Sequence, residues 1–233
     1  MVQREKELER LRNLRDTNLI KVITGMRRAG KSTLFKQFQQ ELLDSGVDKR
    51  NIISLNFEEI ENRALLEAHL LNDYVMMRVD KKKKNYVFFD EIQNVNEFER
   101  LVDSLFVKDY IDLYITVSNA YFLSTDLATL LTGRYLEIPV SPFSFKEYLL
   151  GYANKNFEKG RMEIFDDFMT FGGLPETLNL LNGGQGGEIM NYIGMVFSTI
   201  VEKDIMKRNR VKSKVDFELV TRFLLDSLGA ILC

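Results

Sequence analysis

At residues 25–32 the sequence reads Gly25-Met26-Arg27-Arg28-Ala29-Gly30-Lys31-Ser32, which matches the pattern G-x-x-x-x-G-K-[ST] at every fixed position. An apolar run at residues 19–23 comes before it, and a helical pattern at residues 33–38 comes after it. A strand, a glycine-rich loop and a helix N-terminus in this order bring backbone N–H groups and a partial positive charge to one point, where they hold phosphate oxygens. The sequence therefore predicts a site for a nucleotide.

Two side chains of this stretch have separate predicted roles. Lys31 would reach the outer phosphates, and the hydroxyl of Ser32 would bind a Mg2+ ion. The residues that we predict to bind the nucleotide are Gly25, Met26, Arg27, Arg28, Ala29, Gly30, Lys31, Ser32 and Thr33.

The composition restricts the class of protein. The chain has 233 residues, of which 45% are hydrophobic, so it can bury one large core or a core with a smaller helical domain. Its 32 basic and 34 acidic side chains nearly balance, which excludes a global basic field but allows local basic patches. One cysteine, Cys233, excludes an internal disulfide, and no apolar run is long enough to cross a bilayer. Because the first residues are too charged for a signal peptide, the sequence predicts a soluble, cytoplasmic protein without a membrane partner.

A second informative stretch is Tyr86-Val87-Phe88-Phe89-Asp90-Glu91, in which four apolar β-formers end in two acids. This pattern predicts a buried strand that carries carboxylates at its C-terminal end. Ligands of open α/β sheets bind at those strand ends, so the acids should lie beside the phosphate-binding loop. Asp90 would hold the Mg2+ hydration shell, and Glu91 would orient or deprotonate the attacking water. The pair favours hydrolysis over phosphoryl transfer to a small acceptor.

Two further polar residues follow strand or helix patterns later in the chain. Asn119 follows the apolar run at residues 113–117, where it would contact the γ-phosphate, or would serve as a turn or helix cap. Arg134 lies between a helical pattern at residues 126–131 and a strand pattern at residues 135–140. It would stabilise transition-state charge, in its own chain or in a neighbour, or would form a surface salt bridge. The residues alone leave both alternatives open.

Two basic stretches have no role in this site. Residues 81–84 are four consecutive lysines, and a second basic cluster consists of Lys203, Lys207, Arg208, Arg210, Lys212 and Lys214. Each is either a solvated surface or a contact for a nucleic-acid backbone. From residue 144 onward the pattern is helical, and helices are expected at residues 145–150, 161–171, 176–181 and from 188 to about 207.

In combination, the motifs of this chain resemble a known family. They are Gly25–Ser32, Phe89-Asp90-Glu91-Ile92-Gln93, Ser118-Asn119-Ala120, Gly133-Arg134, Pro142-Phe143-Ser144-Phe145-Lys146-Glu147-Tyr148 and Gly172-Gly173-Leu174-Pro175. Their order is similar to that in archaeal and bacterial AAA-like P-loop ATPases, over about residues 18–180. The resemblance implies an ATP-binding core of the additional-catalytic-glutamate type with strand order 5-1-4-3-2, Asn119 as a sensor and Arg134 as an arginine-finger-like residue. It also implies that the chain is short, because similar proteins continue into a C-terminal domain of unknown function.

We therefore expect an α/β fold, a mostly parallel sheet between helices with the nucleotide at its strand ends. Residues 1–143 would form an ATPase domain, and residues 144–233 a helical lid or adaptor. The expected reaction is Mg2+-dependent hydrolysis of ATP to ADP and phosphate, coupled to conformational work on DNA or a partner protein. The alternative is a slow nucleotide switch that recruits a partner. Assembly into a homo-oligomer is compatible with either, and a small-molecule kinase is a weaker third option, against which Glu91 argues.

Overall fold

The centre of the structure is a five-stranded sheet in which every pair of neighbouring strands is parallel. The computed structural model describes residues 2–118, 133–153, 159–206 and 213–227. The strands are β1 (Ile20–Gly25), β2 (Ile52–Asn56), β3 (Asn85–Asp90), β4 (Ile111–Ser118) and β5 (Tyr135–Pro139). Their order across the sheet is β2-β3-β4-β1-β5. Read from the other edge, this is 5-1-4-3-2, so the predicted α/β fold and strand order are confirmed.

Helices connect the strands and continue beyond the sheet. They are α1 (Glu5–Leu14), α2 (Lys31–Asp44), α3 (Ala68–Met76), α4 (Phe98–Phe106), α5 (Phe145–Ala153), α6 (Arg161–Phe171), α7 (Pro175–Asn182), α8 (Ile189–Thr199) and α9 (Lys214–Asp226). Short 3-10 turns lie at Lys49–Asn51, Ile60–Leu65, Ile92–Asn94 and Gly186–Glu188, and a π-helical segment at Ile200–Met206. In the described part of the chain, no helix combines the length and the apolar character that crossing a membrane requires.

The central strands are buried on both faces, which is why they consist of nearly continuous apolar runs. In β3, Val87 and Phe89 point to a core shared with α3 and α4, whereas Tyr86 and Phe88 point to a core shared with α1 and α2. All six residues of β3 are buried. The strand that carries the predicted acids is therefore held on both sides.

By its contacts, the chain divides into one compact unit up to Met190 and a second from Asn191 onward. The first unit contains the sheet and a smaller apolar core built on Tyr148, Ile164 and Leu178, within α5, α6 and α7. In the second unit, α9 and the end of α8 line a cavity of about 250 Å3. The predicted division at residue 143 stays a prediction.

Apolar residues recur at helical spacing over residues 62–79, which predicts one helix, but the structure interrupts it. A 3-10 turn ends at Leu65, and α3 begins only at Ala68. Between them, Asn96 donates its N–H to Leu66 O at 2.8 Å, and its side-chain amide donates to Glu67 Oε1 at 2.7 Å. Because Asn96 takes the backbone of this segment into a β-bridge, the helical pattern cannot run through it. The helix predicted at residues 126–131 lies outside the described residues.

A buried ion pair fixes the amino-terminal ends of β1 and β4. The ammonium of Lys21 contacts Asp112, and neither side chain is exposed. Asp112 Oδ2 also accepts the hydroxyl of Tyr114 at 2.7 Å and the N–H of Asp16 at 2.9 Å. Burial lowers the pKa of Lys21, against the opposing effect of Asp112. The pair therefore depends on mutual compensation, since neither charge has access to water.

Replacing Lys21 by methionine should lower the free energy of unfolding by about 3–5 kcal/mol, because Asp112 would remain buried without a counter-charge. Adding Asp112→Asn should recover part of this loss, since the amide keeps one acceptor oxygen and carries no charge. Urea unfolding of both variants measures the effect. A double variant no more stable than Lys21→Met would show that the uncompensated charge is not the cause.

Candidate functional site

The predicted phosphate-binding loop joins β1 to α2, and its first glycine is required by a close backbone contact. Gly25 has φ +155°, and a Cβ at this position would lie 2.3 Å from Val140 O. Just before it, Thr24 O accepts the N–H of Val140 at 2.7 Å. Since any larger residue would push the loop away from the strand segment at Val140, glycine sets the point at which the chain leaves the sheet.

Backbone donors and one ammonium group face the interior of this loop. Helix α2 begins at Lys31, and its first helical hydrogen bond runs from Leu34 N to Gly30 O at 3.0 Å. The N–H groups of the first three helical residues, Lys31 to Thr33, precede that bond, so they have no acceptor within the helix. Such groups, with the helix dipole behind them, bind anions.

Lys31 is nearly fully buried and is held by three oxygens. Its Nζ donates to Gly25 O at 3.0 Å and to Met26 O at 3.4 Å. The same Nζ lies 3.2 Å from Glu91 Oε1, and both side chains are less than 10% exposed. The ammonium therefore connects the end of β1 with the end of β3, and two of the predicted site residues are in direct contact.

Asp90, the last residue of β3, is fixed by two hydroxyl groups. Thr116 Oγ1 donates to Asp90 Oδ1 at 2.5 Å and accepts the N–H of Glu91 at 2.8 Å. Burial raises the pKa of Asp90, and hydrogen bonds from Ser32 and Thr116 oppose that shift. The structure thus brings together the predicted metal residues, Ser32 and Asp90.

Glu91 follows Asp90 in a left-handed backbone conformation, with φ 54° and ψ 49°. This conformation is rare for a residue with a side chain, costs about 1–3 kcal/mol, and recurs at functional sites. The side-chain amide of Gln93 donates to Glu91 Oε2 at 2.5 Å. The amide oxygen of Gln93 is buried and accepts no hydrogen bond from the described residues. Gln93 therefore orients Glu91, although its own buried carbonyl oxygen accepts no hydrogen bond from the described residues, which costs free energy.

The two arginines of the loop lie at its outer side. Arg27 Nη1 forms a salt bridge of 3.0 Å with Glu58, which follows β2. Arg28 is exposed and has φ 64°, so the loop turns sharply here. Ala29, by contrast, is fully buried against the core below α2. The salt bridge of Arg27 on the outer side and the burial of Ala29 on the inner side therefore both hold the loop.

The residues at the end of β3 fit a Mg2+ ion that accompanies a nucleotide. Among the described residues, no group of three or more His, Cys, Asp or Glu side chains is placed to enclose a metal. Mg2+ does not require one, because it keeps several waters and binds phosphate oxygens with one or two protein oxygens. The exposed Ser32 hydroxyl and the Asp90 carboxylate supply oxygens of this kind.

A cavity of about 430 Å3 lies beside the loop, within the range of pocket volumes that hold small ligands. Gly30 and Thr33 form one wall, Pro175 and Asn179 another, and Arg4 reaches it from the segment before α1. Glycine at position 173 makes this arrangement possible, since a Cβ there would lie 2.2 Å from Phe143 O. The two sequence motifs around Phe143 and Gly173 therefore pack against each other, and the second leads directly into the cavity wall.

Arg4 was not predicted from the sequence, yet it touches the loop directly. Only 3% of the residue is exposed. Its Nη2 donates to Ala29 O at 2.6 Å, its Nη1 lies 3.3 Å from Glu147 Oε1, and its guanidinium lies 4.4 Å from the centre of the Phe143 ring. Arg4 thus joins the loop to α5, which contains Glu147.

One predicted site residue, Arg134, is not placed with this group. Asn119 lies outside the described residues. Arg134 lies at the opposite end of the sheet, where its carbonyl oxygen accepts the N–H of Ile20, the first residue of β1. Five residues of strand, about 17 Å, separate Ile20 from Gly25. Arg134 forms a salt bridge of 2.9 Å with Asp103, so its surroundings exclude a contact with the loop of its own chain.

Comparisons with known proteins find a family and relatives of this chain. The profile of a family described as an AAA domain matches residues 17–149. An uncharacterised protein of Haemophilus influenzae is 35% identical over 98% of this chain and 56% of its own length. The chain spans about half the length of the curated relatives it matches.

Two solved structures share the fold. A Walker-type ATPase of Pyrococcus abyssi has a TM-score of 0.63 at 18% identity, over 91% of this chain and 77% of its own. The Aeropyrum pernix ORC1 protein, in complex with DNA, has a TM-score of 0.54 at 12% identity, over 99% of this chain and 74% of its own. At these identities the likeness concerns the fold alone.

Arg4→Met should weaken the binding of a fluorescent ATP analogue about 10-fold. Losing the charged hydrogen bond from Arg4 to Ala29 O costs about 1.5–3 kcal/mol, and without it the loop is held less well in the conformation that binds phosphate. Arg10→Met is the matched control, since Arg10 lies on the adjoining helix and donates to Glu137 O on β5, away from the loop. Thermal unfolding checks that both variants fold. Equal affinities in the two variants would contradict a role of Arg4 in the loop.

Proposed function

The chain belongs to the AAA domain family, and from this premise we propose that it binds ATP with Mg2+ and hydrolyses it to ADP and phosphate. The family and the fold support nucleotide binding and ATPase chemistry in general. The observation that carries the specific proposal is the contact of Lys31 with Glu91, 3.2 Å apart, beside Asp90 and Ser32. A phosphate-binding ammonium, a carboxylate for water and oxygens for Mg2+ lie within one small region.

In this proposal the loop binds the phosphates, and no side chain forms a covalent intermediate. The N–H groups at the start of α2 and the ammonium of Lys31 neutralise phosphate charge. Ser32 and Asp90 would hold Mg2+, which supplies further charge neutralisation when bound with the nucleotide. Most of the catalysis is then positioning and electrostatic stabilisation, as is general for phosphoryl transfer.

Glu91 is the proposed general base. Its carboxylate is held between Lys31 and the amide of Gln93, so its orientation is determined before water arrives. We assign Gln93 the role of a positioning residue, because it acts through Glu91. Asn119 remains the proposed sensor of the γ-phosphate, on the resemblance given above.

We propose that Arg134 stabilises transition-state charge on the ATP bound by a neighbouring subunit. Its place at the amino-terminal end of β5 excludes its own loop, but it is exposed and available at the surface. This proposal requires a homo-oligomer in which the edge near β5 faces the loop of the next copy. The alternative is that Arg134 serves only the salt bridge with Asp103.

Hydrolysis is proposed to drive conformational work on DNA or a partner protein from the cytoplasm. Arg4 supports a mechanical link, since it contacts both Ala29 of the loop and Glu147 of α5. We keep residues 144–233 as the proposed lid or adaptor and residues 1–143 as the ATPase domain. The ORC1 structure contains DNA, which makes DNA the first partner to try. In the second candidate function, the same link serves a slow switch that retains its nucleotide and recruits a partner.

Glu91→Gln should lower the turnover number for ATP about 100- to 10,000-fold, because the amide cannot accept a proton. ATP binding should persist, since the carbonyl oxygens of Gly25 and Met26 still hold Lys31. Glu97→Gln is the matched control, since Glu97 also has a left-handed backbone but lies at the surface, 2.7 Å from Arg100. Phosphate release and analogue binding are measured with and without DNA. Full turnover in Glu91→Gln would exclude the proposed base. Tight ATP retention with negligible turnover in the unsubstituted chain would favour the switch.

Arg134→Ala should change stability by less than about 1 kcal/mol, because its salt bridge with Asp103 is largely solvated. If Arg134 completes a neighbour's site, the variant should bind ATP normally and lose turnover. Turnover per subunit of the unsubstituted protein should then fall on dilution. Turnover that is independent of both concentration and Arg134 would remove the arginine from the site.

A further inference from the structure

The three chain segments that lead into β2, β3 and β4 form one basic surface. It lies at the amino-terminal ends of these strands, opposite the nucleotide site at their carboxyl-terminal ends. The segments are residues 48–51, 80–85 and 108–110, which read Asp-Lys-Arg-Asn, Asp-Lys-Lys-Lys-Lys-Asn and Lys-Asp-Tyr. Together they contain seven basic and three acidic side chains, a net charge of +4. Because the whole chain has a net charge of −2, the remainder carries −6. We call these three segments the basic edge.

One buried asparagine holds the three segments together. Asn85, the first residue of β3, has no exposed surface. Its side-chain amide donates to Asp80 O at 2.8 Å, to Lys83 O at 2.9 Å and to Tyr110 O at 3.1 Å. Its Oδ1 accepts the N–H of Asp80 at 3.0 Å and the side-chain amide of Asn51 at 3.1 Å. A single side chain thus bonds to all three segments, to the backbone of the second and third and to the side chain of Asn51 in the first.

The positive charges of the basic edge are directed outward and lie near one another. Lys49, Arg50, Lys81, Lys82 and Lys83 are exposed. The Lys84 ammonium donates to Asp109 O at 2.9 Å, which joins the second segment to the third. Hydrogen bonds from Arg50 lower the pKa of Asp48 to about 2, and the charge of Lys83, on the neighbouring segment, adds to this shift. The segments are therefore close enough for their charges to interact.

We propose that the basic edge binds the phosphodiester backbone of duplex nucleic acid without reading its bases. Phosphates provide a continuous line of charges, and several lysines that contact them release counterions and yield most of the affinity of non-specific binding. Apart from Tyr110, which packs against the core beneath, the three segments contain no apolar or aromatic residue. They therefore offer no fully exposed aromatic ring on which a base could stack, and no fully exposed apolar side chain to anchor an acidic peptide.

This surface is separate from the nucleotide site. The basic edge begins β3, and the acids end it, so about 17 Å of strand separates Asn85 from Asp90. Binding at the basic edge should not need ATP. A failure of this proposal therefore leaves the proposed ATPase activity untouched, and the reverse also holds.

The test is fluorescence anisotropy of a labelled DNA duplex of about two helical turns, with the full chain and no nucleotide. The variant is Lys81→Gln with Lys82→Gln and Lys83→Gln, three exposed side chains at the tip of the basic edge. Its matched control is Lys6→Gln with Lys36→Gln and Lys146→Gln, which removes three exposed charges elsewhere. ATP-analogue binding by each protein checks that the fold and the loop are intact.

We expect the variant to bind at least about 10-fold more weakly than the control. The negative slope of log affinity against log salt should become shallower by about 2–3, near 0.9 for each lost phosphate contact. Equal losses in both variants, or no binding by the unsubstituted chain, would overturn the proposal. An RNA duplex of equal length tests which backbone is preferred. Binding of polyglutamate as tight as that of DNA, lost in the same variant, would assign the surface to an acidic protein instead.

Discussion

The ammonium of Lys31 occupies the point where β1 and β3 end, and the site depends on what holds it there. Two carbonyl oxygens of the loop and the carboxylate of Glu91 surround it. A buried ammonium is stable only with such partners, because removing a charge from water costs free energy that only paired groups return. The parallel pairing of β3 with β4 and of β4 with β1 brings these groups together. The site therefore depends first on the order of the strands, because that order places Lys31 beside Glu91.

Arg4 extends this dependence to the helices beyond the sheet. Its guanidinium is planar, so it can bond to Ala29 and Glu147 at once while it covers Phe143. A lysine would supply the charge without this geometry. The loop, the segment before α1 and α5 therefore meet at one side chain, and we expect a shift of the loop to be felt at α5. This contact gives the proposed lid a physical connection to the phosphates.

The sequence predicted the sheet order and the family, because both follow from motifs that are local or that resemble known ones. The two residues that it missed, Arg4 at the site and Asn85 at the basic edge, are defined by distant contacts. Arg4 reaches Ala29 across 25 positions, and Asn85 collects three segments that lie far apart in the chain. Nothing in the short pattern around either residue indicates such a role. Arg134 shows the same limit, since only the register of β5 on β1 reveals at which end of the sheet it lies.

Strand β3 connects the two charged regions of the molecule. Asn85 begins it and organises the basic edge, whereas Asp90 ends it at the nucleotide site. All six of its residues are buried, and its neighbours β2 and β4 pair with it in parallel. Close-packed interiors have low compressibility and transmit strain, so a displacement at one end of a strand of this kind is felt at the other. We therefore expect a duplex bound at the basic edge to affect the ATP site through β3, by changing the distance from Glu91 to Lys31.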